Sequence, residues 1–237
     1  LQIFVLFFFW STIFSDPSRM VFGYDRGKIL TYVFGVMIVK AVVFSARTVD
    51  IAGDIAKGDL ANYLLKPISY FKYWLTRDLS SKALNLIFAV GETLILFFIL
   101  KPPFYLQTNP WLILAFILSL VLAILIFFYF LLLCNMVAFW APEMGWAVQF
   151  LLVIIIGEFL SGSFIPLDIF PLGVQKVFYA LPFPYLIFFP LQVYLGKISL
   201  AFTLSGLLIS IAWVLILGFF ANFIWRRGLR RFAAEGR

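Results

Sequence analysis

Histidine is absent from the 237-residue sequence, and cysteine occurs once, at Cys134. The first absence excludes an HExxH zinc site, a Ser-His or Cys-His nucleophile pair and any histidine proton relay. The second excludes an internal disulfide, and Cys134, set in an apolar run, reads as a small buried hydrophobe. No metal and no cofactor are expected, and no residue is assigned as catalytic. The pattern G-x-x-x-x-G-K-[ST] is missing as well, so the chain cannot itself cradle nucleotide phosphates in a P-loop. Charge is equally scarce. Only 12% of residues are Asp, Glu, Lys or Arg, about half the usage of soluble domains.

Apolar side chains take the place of those charges. The chain is 64% hydrophobic and carries 31 Phe, 7 Trp and 10 Tyr, more than a soluble domain of this length can hide. Its solvent is lipid. The net charge of +7 suggests nucleic acid until the charges are located, mostly at the ends of apolar runs, where they record membrane topology instead. No nucleic-acid partner is expected.

Runs near the roughly 20 residues that cross a bilayer predict an all-α integral membrane protein of six transmembrane helices. It forms one transmembrane domain over 1–237, with spans at about 1–14, 29–46, 83–100, 111–140, 146–164 and 200–225. The first run is too short to span, lacks a basic leader, and reads as the end of a span truncated at its start. Pro142 and Gly145 turn the chain straight back between spans four and five. Six spans place both termini on one side. The long connection after span two carries Arg47, Lys57, Lys66, Lys72, Arg77 and Lys82, and the tail carries Arg226, Arg227, Arg230, Arg231 and Arg237. The excess of Lys and Arg there makes both termini cytoplasmic.

Two connections carry information. In the first, Ile51 and Ile55 share a face, Gly58 is a helix stop and Asp59 an N-cap for a short helix, Leu60 to Lys66, which exposes Leu60, Tyr63 and Leu64. From periodicity alone, that helix either docks a partner or lies on lipid headgroups. The second connection, 161–199, holds Pro166, Pro171, Pro182, Pro184 and Pro190, yet is too apolar for a solvated loop. Irregular backbone at membrane depth survives only where protein or a cavity satisfies it. A re-entrant hairpin of helices, about Val174 to Leu181 and Leu186 to Leu195, is predicted on the outer side.

Lys40, Glu92 and Glu158 interrupt apolar runs, and charges at that depth are functional candidates by default. Lys40 and Glu92 fall at similar depth on sequential spans, where they can pair and neutralise each other. Glu158 has no evident partner and can accept hydrogen bonds from the hairpin backbone, which with Pro166 and Pro171 makes an outer gate. Asn85 and Asn135 read as interhelical hydrogen-bond residues. Tyr24-Asp25 and Gly53-Asp54 evoke paired-aspartate proteases, but the topology puts them on opposite sides.

Taken together, GDLANYLLKPISY between spans two and three and SGSFIPLDIFP…LPFPY before span six resemble the membrane subunits of ABC-2 type ATP-binding-cassette exporters. The tail WRRGLRRFAAEGR is similar to that of a bacterial subgroup of uncharacterised permeases. The family has an amphipathic helix ahead of its first span, and no residue here is expected to supply it. The resemblance implies a bacterial cytoplasmic-membrane permease that exports an unidentified substrate. A separate ATPase subunit would hydrolyse ATP, and a second six-span permease, identical or different, would complete the path through the lipid. It implies that Asp54, Asp59, Leu60, Tyr63, Leu64 and Lys66 form the coupling helix in a groove of the ATPase. A proton-coupled secondary transporter using Glu92 and Glu158 is the alternative, although the repeat symmetry common in that class is missing. An assembly factor without transport is a third reading.

Overall fold

A computed structural model describes residues 2–16, 20–151 and 157–234. Their α-helices, in order, are α1 (Gln2–Ile13), α2 (Arg26–Val43), α3 (Ile51–Lys57), α4 (Leu60–Leu64), α5 (Tyr70–Leu100) and α6 (Pro110–Asn135). After these come α7 (Gly145–Gln149), α8 (Glu158–Leu160), α9 (Leu172–Ala180), α10 (Phe188–Tyr194) and α11 (Leu200–Ala234).

The expected count of six transmembrane helices is overturned. Among the described residues, three helices are long and apolar enough to cross a membrane, Tyr70–Leu100, Pro110–Phe139 and Leu200–Phe232. A fourth is gained only if Arg26–Val43 and Thr48–Lys57, bent by 49°, count as one span. The physical reasons differ by run. α1 has 12 residues, about 18 Å of helix at 1.5 Å per residue, well short of the roughly 30 Å hydrocarbon. Over its 18 residues α2 carries Arg26, Lys28 and Lys40. In the run at 146–164, α7 ends at Gln149, positions 150, 151 and 157 are π-helical and α8 follows; the middle of the expected fifth span, 152–156, lies outside the described residues. In the other direction, α5 begins at Tyr70, so about a third of what reads as a connection is the start of that helix, and α11 continues past Trp225 through its four arginines.

Local chemistry sets the helix ends. Asp25 accepts from the Lys28 N–H at 2.7 Å to start α2. Asn109 accepts from the Trp111 N–H at 3.0 Å, ahead of Pro110 at the first position of α6, where a missing N–H costs nothing. Gly58, at φ +83°, closes α3 in the left-handed conformation. Asp59 precedes α4 without bonding to it through its side chain, so the expected cap is absent.

α6 is the central element, packing against α11, α10, α2, α3 and α7. Two apolar clusters share it. One, at the end of the bundle where α11 runs out through its arginines, joins Ile51, Leu60, Trp74, Met136, Phe139 and Phe232. The other fills the rest of the bundle, reaching Tyr24, Tyr32 and Leu167 at the opposite end. α10 lies close to α11 because Gly206 admits the Phe189 ring, which any Cβ there would strike. Gly206→Leu is therefore expected to cost about 2 kcal/mol through overpacking, read from unfolding in mixed micelles, with Phe189→Ala restoring part of the loss.

Candidate functional site

The polar groups of this apolar chain gather at three levels. At the basic end, the segment between α2 and α4 is bound to the long helices by side chains buried in α5 and α6. Asp78, on α5 and fully buried, accepts from the N–H groups of Arg47 at 2.6 Å and Thr48 at 2.8 Å and from the Thr48 hydroxyl. One turn later Lys82 donates to the carbonyls of Val43, at 2.8 Å, and Ser45. On α6, Asn135 accepts from the Ala52 N–H at 2.9 Å and from the Gln149 amide. Asn135 is thus an inter-element bond, whereas Asn85 bonds Ser81 on its own helix at 3.0 Å. Asp78 and Lys82 carry most of this lock and were not singled out in the sequence. An Asp and a Lys four residues apart, where a connection becomes an apolar run, were the available signal.

That lock presents the expected coupling residues unequally. Leu60 is buried, contrary to the amphipathic reading, because its face of α4 packs on Trp74 and Ile51. Tyr63 is half-buried against the rings of Tyr70, Tyr73 and Trp74, and the Lys66 ammonium lies 5.3 Å from the Tyr63 centroid. The exposed apolar surface is Leu64, Ile68 and above all Leu65, 87% accessible. Asp54 and Asp59 line a cavity of about 600 Å³ beside α3, shared with Asp50, Arg77 and Glu143.

In the middle, Lys40 makes its salt bridge with Glu158, at 2.8 Å. Side chains on a helix lean toward its N-terminus, which aims Lys40 toward α8. The hairpin turn is tied in by backbone oxygens: the Glu158 carbonyl accepts from Ser161 at 2.8 Å and Ser163 at 2.9 Å, and the Gly162 carbonyl from Tyr32 at 2.6 Å. Glu92 and Lys40 line one cavity of about 420 Å³, together with Ser45, Asn85 and aliphatic side chains of α1 and α2. Asp25 caps α2 at one end and Asp54 lies beyond the other, so those two aspartates do not meet.

At the opposite end, Pro166 precedes a short turn and Pro171 opens α9, both with extended backbone (ψ 134° and 146°). Asp168, between them, holds the hairpin to the start of α2. It accepts from the Tyr24 hydroxyl at 3.1 Å and from Lys197 at 2.6 Å. Gln192 donates to the Tyr24 hydroxyl, and the Lys197 ammonium lies 3.0 Å from the Tyr24 centroid. Burial pushes the Tyr24 phenol up, with Asp168 adding to it. Burial lowers the Lys197 ammonium, against the pull of Asp168. The raised phenol stays neutral at neutral pH, with the Lys197 side chain over its ring. Asp168 and Lys197 are two of the three charges in 161–199, which is how the sequence could have revealed them.

The sequence family described as "ABC-2 family transporter protein" matches residues 1–236. No curated protein and no solved structure matches the chain.

Proposed function

We propose that this chain, which belongs to the ABC-2 transporter family, is the membrane-spanning subunit of an exporter whose ATP is hydrolysed by a separate subunit docked on α4. The observation that carries the reading is the exposed surface of Leu64, Leu65 and Ile68 on a segment bound by buried polar groups to α5 and α6. Exposed leucines on a firmly held tip suit a groove on a partner, and a push on the tip passes into two long helices because Asp78, Lys82 and Asn135 allow little play. Asp54 and Asp59, beside the tip, line the acidic rim of this docking surface. Tyr63 shapes it from beneath, with Lys66 over its ring. A headgroup-riding helix would need no such lock.

By the positive-inside rule the end holding α4 and the arginines of α11 faces the cytoplasm, here of a bacterial inner membrane. The Asp168 end with its prolines is then external. Glu158, Pro166 and Pro171 form an outer gate in this reading, with α2 as the post to which the hairpin is tied through Lys40, Tyr32 and Tyr24. A second permease, a copy or a relative, completes the path. The proton-carrier alternative is weakened at Glu158, whose carboxylate already holds Lys40.

Leu64→Asp with Leu65→Asp is expected to leave membrane insertion unchanged while cutting ATPase co-purification at least tenfold. Equal recovery of the ATPase would show that α4 only rides the headgroups.

A further inference from the structure

The cavity between α1, α2 and α5 is lined by one cation, Lys40, and one carboxylate, Glu92, and the cation is already held by a second carboxylate from outside it. Lys40 is engaged by Glu158 at 2.8 Å, which balances those two charges. Glu92, exposed on the wall contributed by α5, makes no hydrogen bond or ion pair with any described residue. A carboxylate in the apolar run of a membrane helix is costly unless something pairs with it. The remaining polar groups are acceptors too. The Ser45 hydroxyl is buried without a partner, and Asn85 spends its NH₂ on Ser81, which leaves its carbonyl oxygen available. Asn85 and Glu92, seven residues apart, lie on one face of α5. Opposite them the wall is aliphatic: Ile3 and Leu6 from α1, Val36 and Met37 from α2.

We infer that this cavity binds amphiphilic organic amines, the ammonium against Glu92 with the Asn85 carbonyl accepting from it, and the alkyl body against α1 and α2. The volume of about 420 Å³ admits a small amphiphile, and the unbalanced negative charge selects cations. An anion would meet Glu92 with no free cation to offset it. The inference rests on the permease reading and gives it a substrate class.

The test uses the full chain in nanodiscs of phosphatidylglycerol, without ATPase, so that it stands or falls separately from ATPase docking. Octylammonium is expected to bind saturably, read as a concentration-dependent rise in melting temperature, while octyl sulfate gives no saturable rise. Glu92→Gln should weaken octylammonium at least tenfold and Glu92→Asp should recover part of that. Leu6→Trp, which fills the apolar wall but keeps the carboxylate, should weaken it as well. Added phosphatidylethanolamine that competes identifies a bilayer aminolipid as the source of the amine, and failure to compete identifies a solute. Equal octylammonium affinity in wild type and Glu92→Gln, or equal protection by octyl sulfate, overturns the inference.

Discussion

Asp78→Ala should be the most damaging single substitution outside the apolar core, costing about 3–5 kcal/mol. The carboxylate is fully buried and accepts from two backbone N–H groups and a hydroxyl of the Arg47–Thr48 turn. Removing it orphans three donors and leaves Lys82, one turn away, without a neighbouring anion. Asp78→Asn keeps one acceptor oxygen for the N–H groups and should cost roughly half as much. Unfolding in mixed micelles measures both. Protease cleavage within 45–58 should rise in Asp78→Ala before the long helices unfold, because the lost bonds are those of that segment. ATPase association should fall with it even though α4 is unaltered. An Asp78→Ala chain of normal stability, with its ATPase bound as before, would sink the idea that the lock positions the tip.

The membrane class was legible from composition because lipid leaves few alternatives for 64% apolar residues. So were the short helix after Gly58 and the helical breaks at Pro166, Pro171 and Pro182, since glycine and proline act through local sterics, whereas Pro190 sits in the first turn of α10. Span number was not. Apolar run length treats Ile29 to Phe44 like Leu200 to Trp225, yet the first lies in a charged helix of 18 residues and the second in a helix of 35. Leu60 likewise reads as exposed because periodicity shows that a face exists, not what lies against it, and Trp74 covers it from α5. The site residues that escaped notice, Asp78, Lys82, Asp168 and Tyr24, all act over long sequence distances. Tyr24 and Asp168 are 144 residues apart, a separation at which no periodicity speaks.

Lys40 makes the same point, since its depth matches Glu92 on the next span, yet the fold pairs it with Glu158. The pair predicts a measurable coupling. Its side chains are 26% and 21% accessible, sheltered enough that a stranded charge is expensive. Lys40→Met strands the Glu158 carboxylate in an apolar bundle, and Glu158→Gln takes the carboxylate away from the Lys40 ammonium; each is expected to cost about 3 kcal/mol. The double variant strands neither, and a cycle in mixed micelles should show about 2 kcal/mol of coupling. Because the Glu158 backbone carbonyl also holds Ser161 and Ser163, Glu158→Gln frees α8 from Lys40 without dismantling the turn. Transport per assembled complex should then change, with the ATPase still bound, since the Lys40 tie between α2 and the hairpin is cut while those through Tyr32 and Tyr24 remain. A coupling near zero would mean that the two charges are solvated independently. Unchanged transport despite strong coupling would make the pair a fixed structural brace with no part in gating.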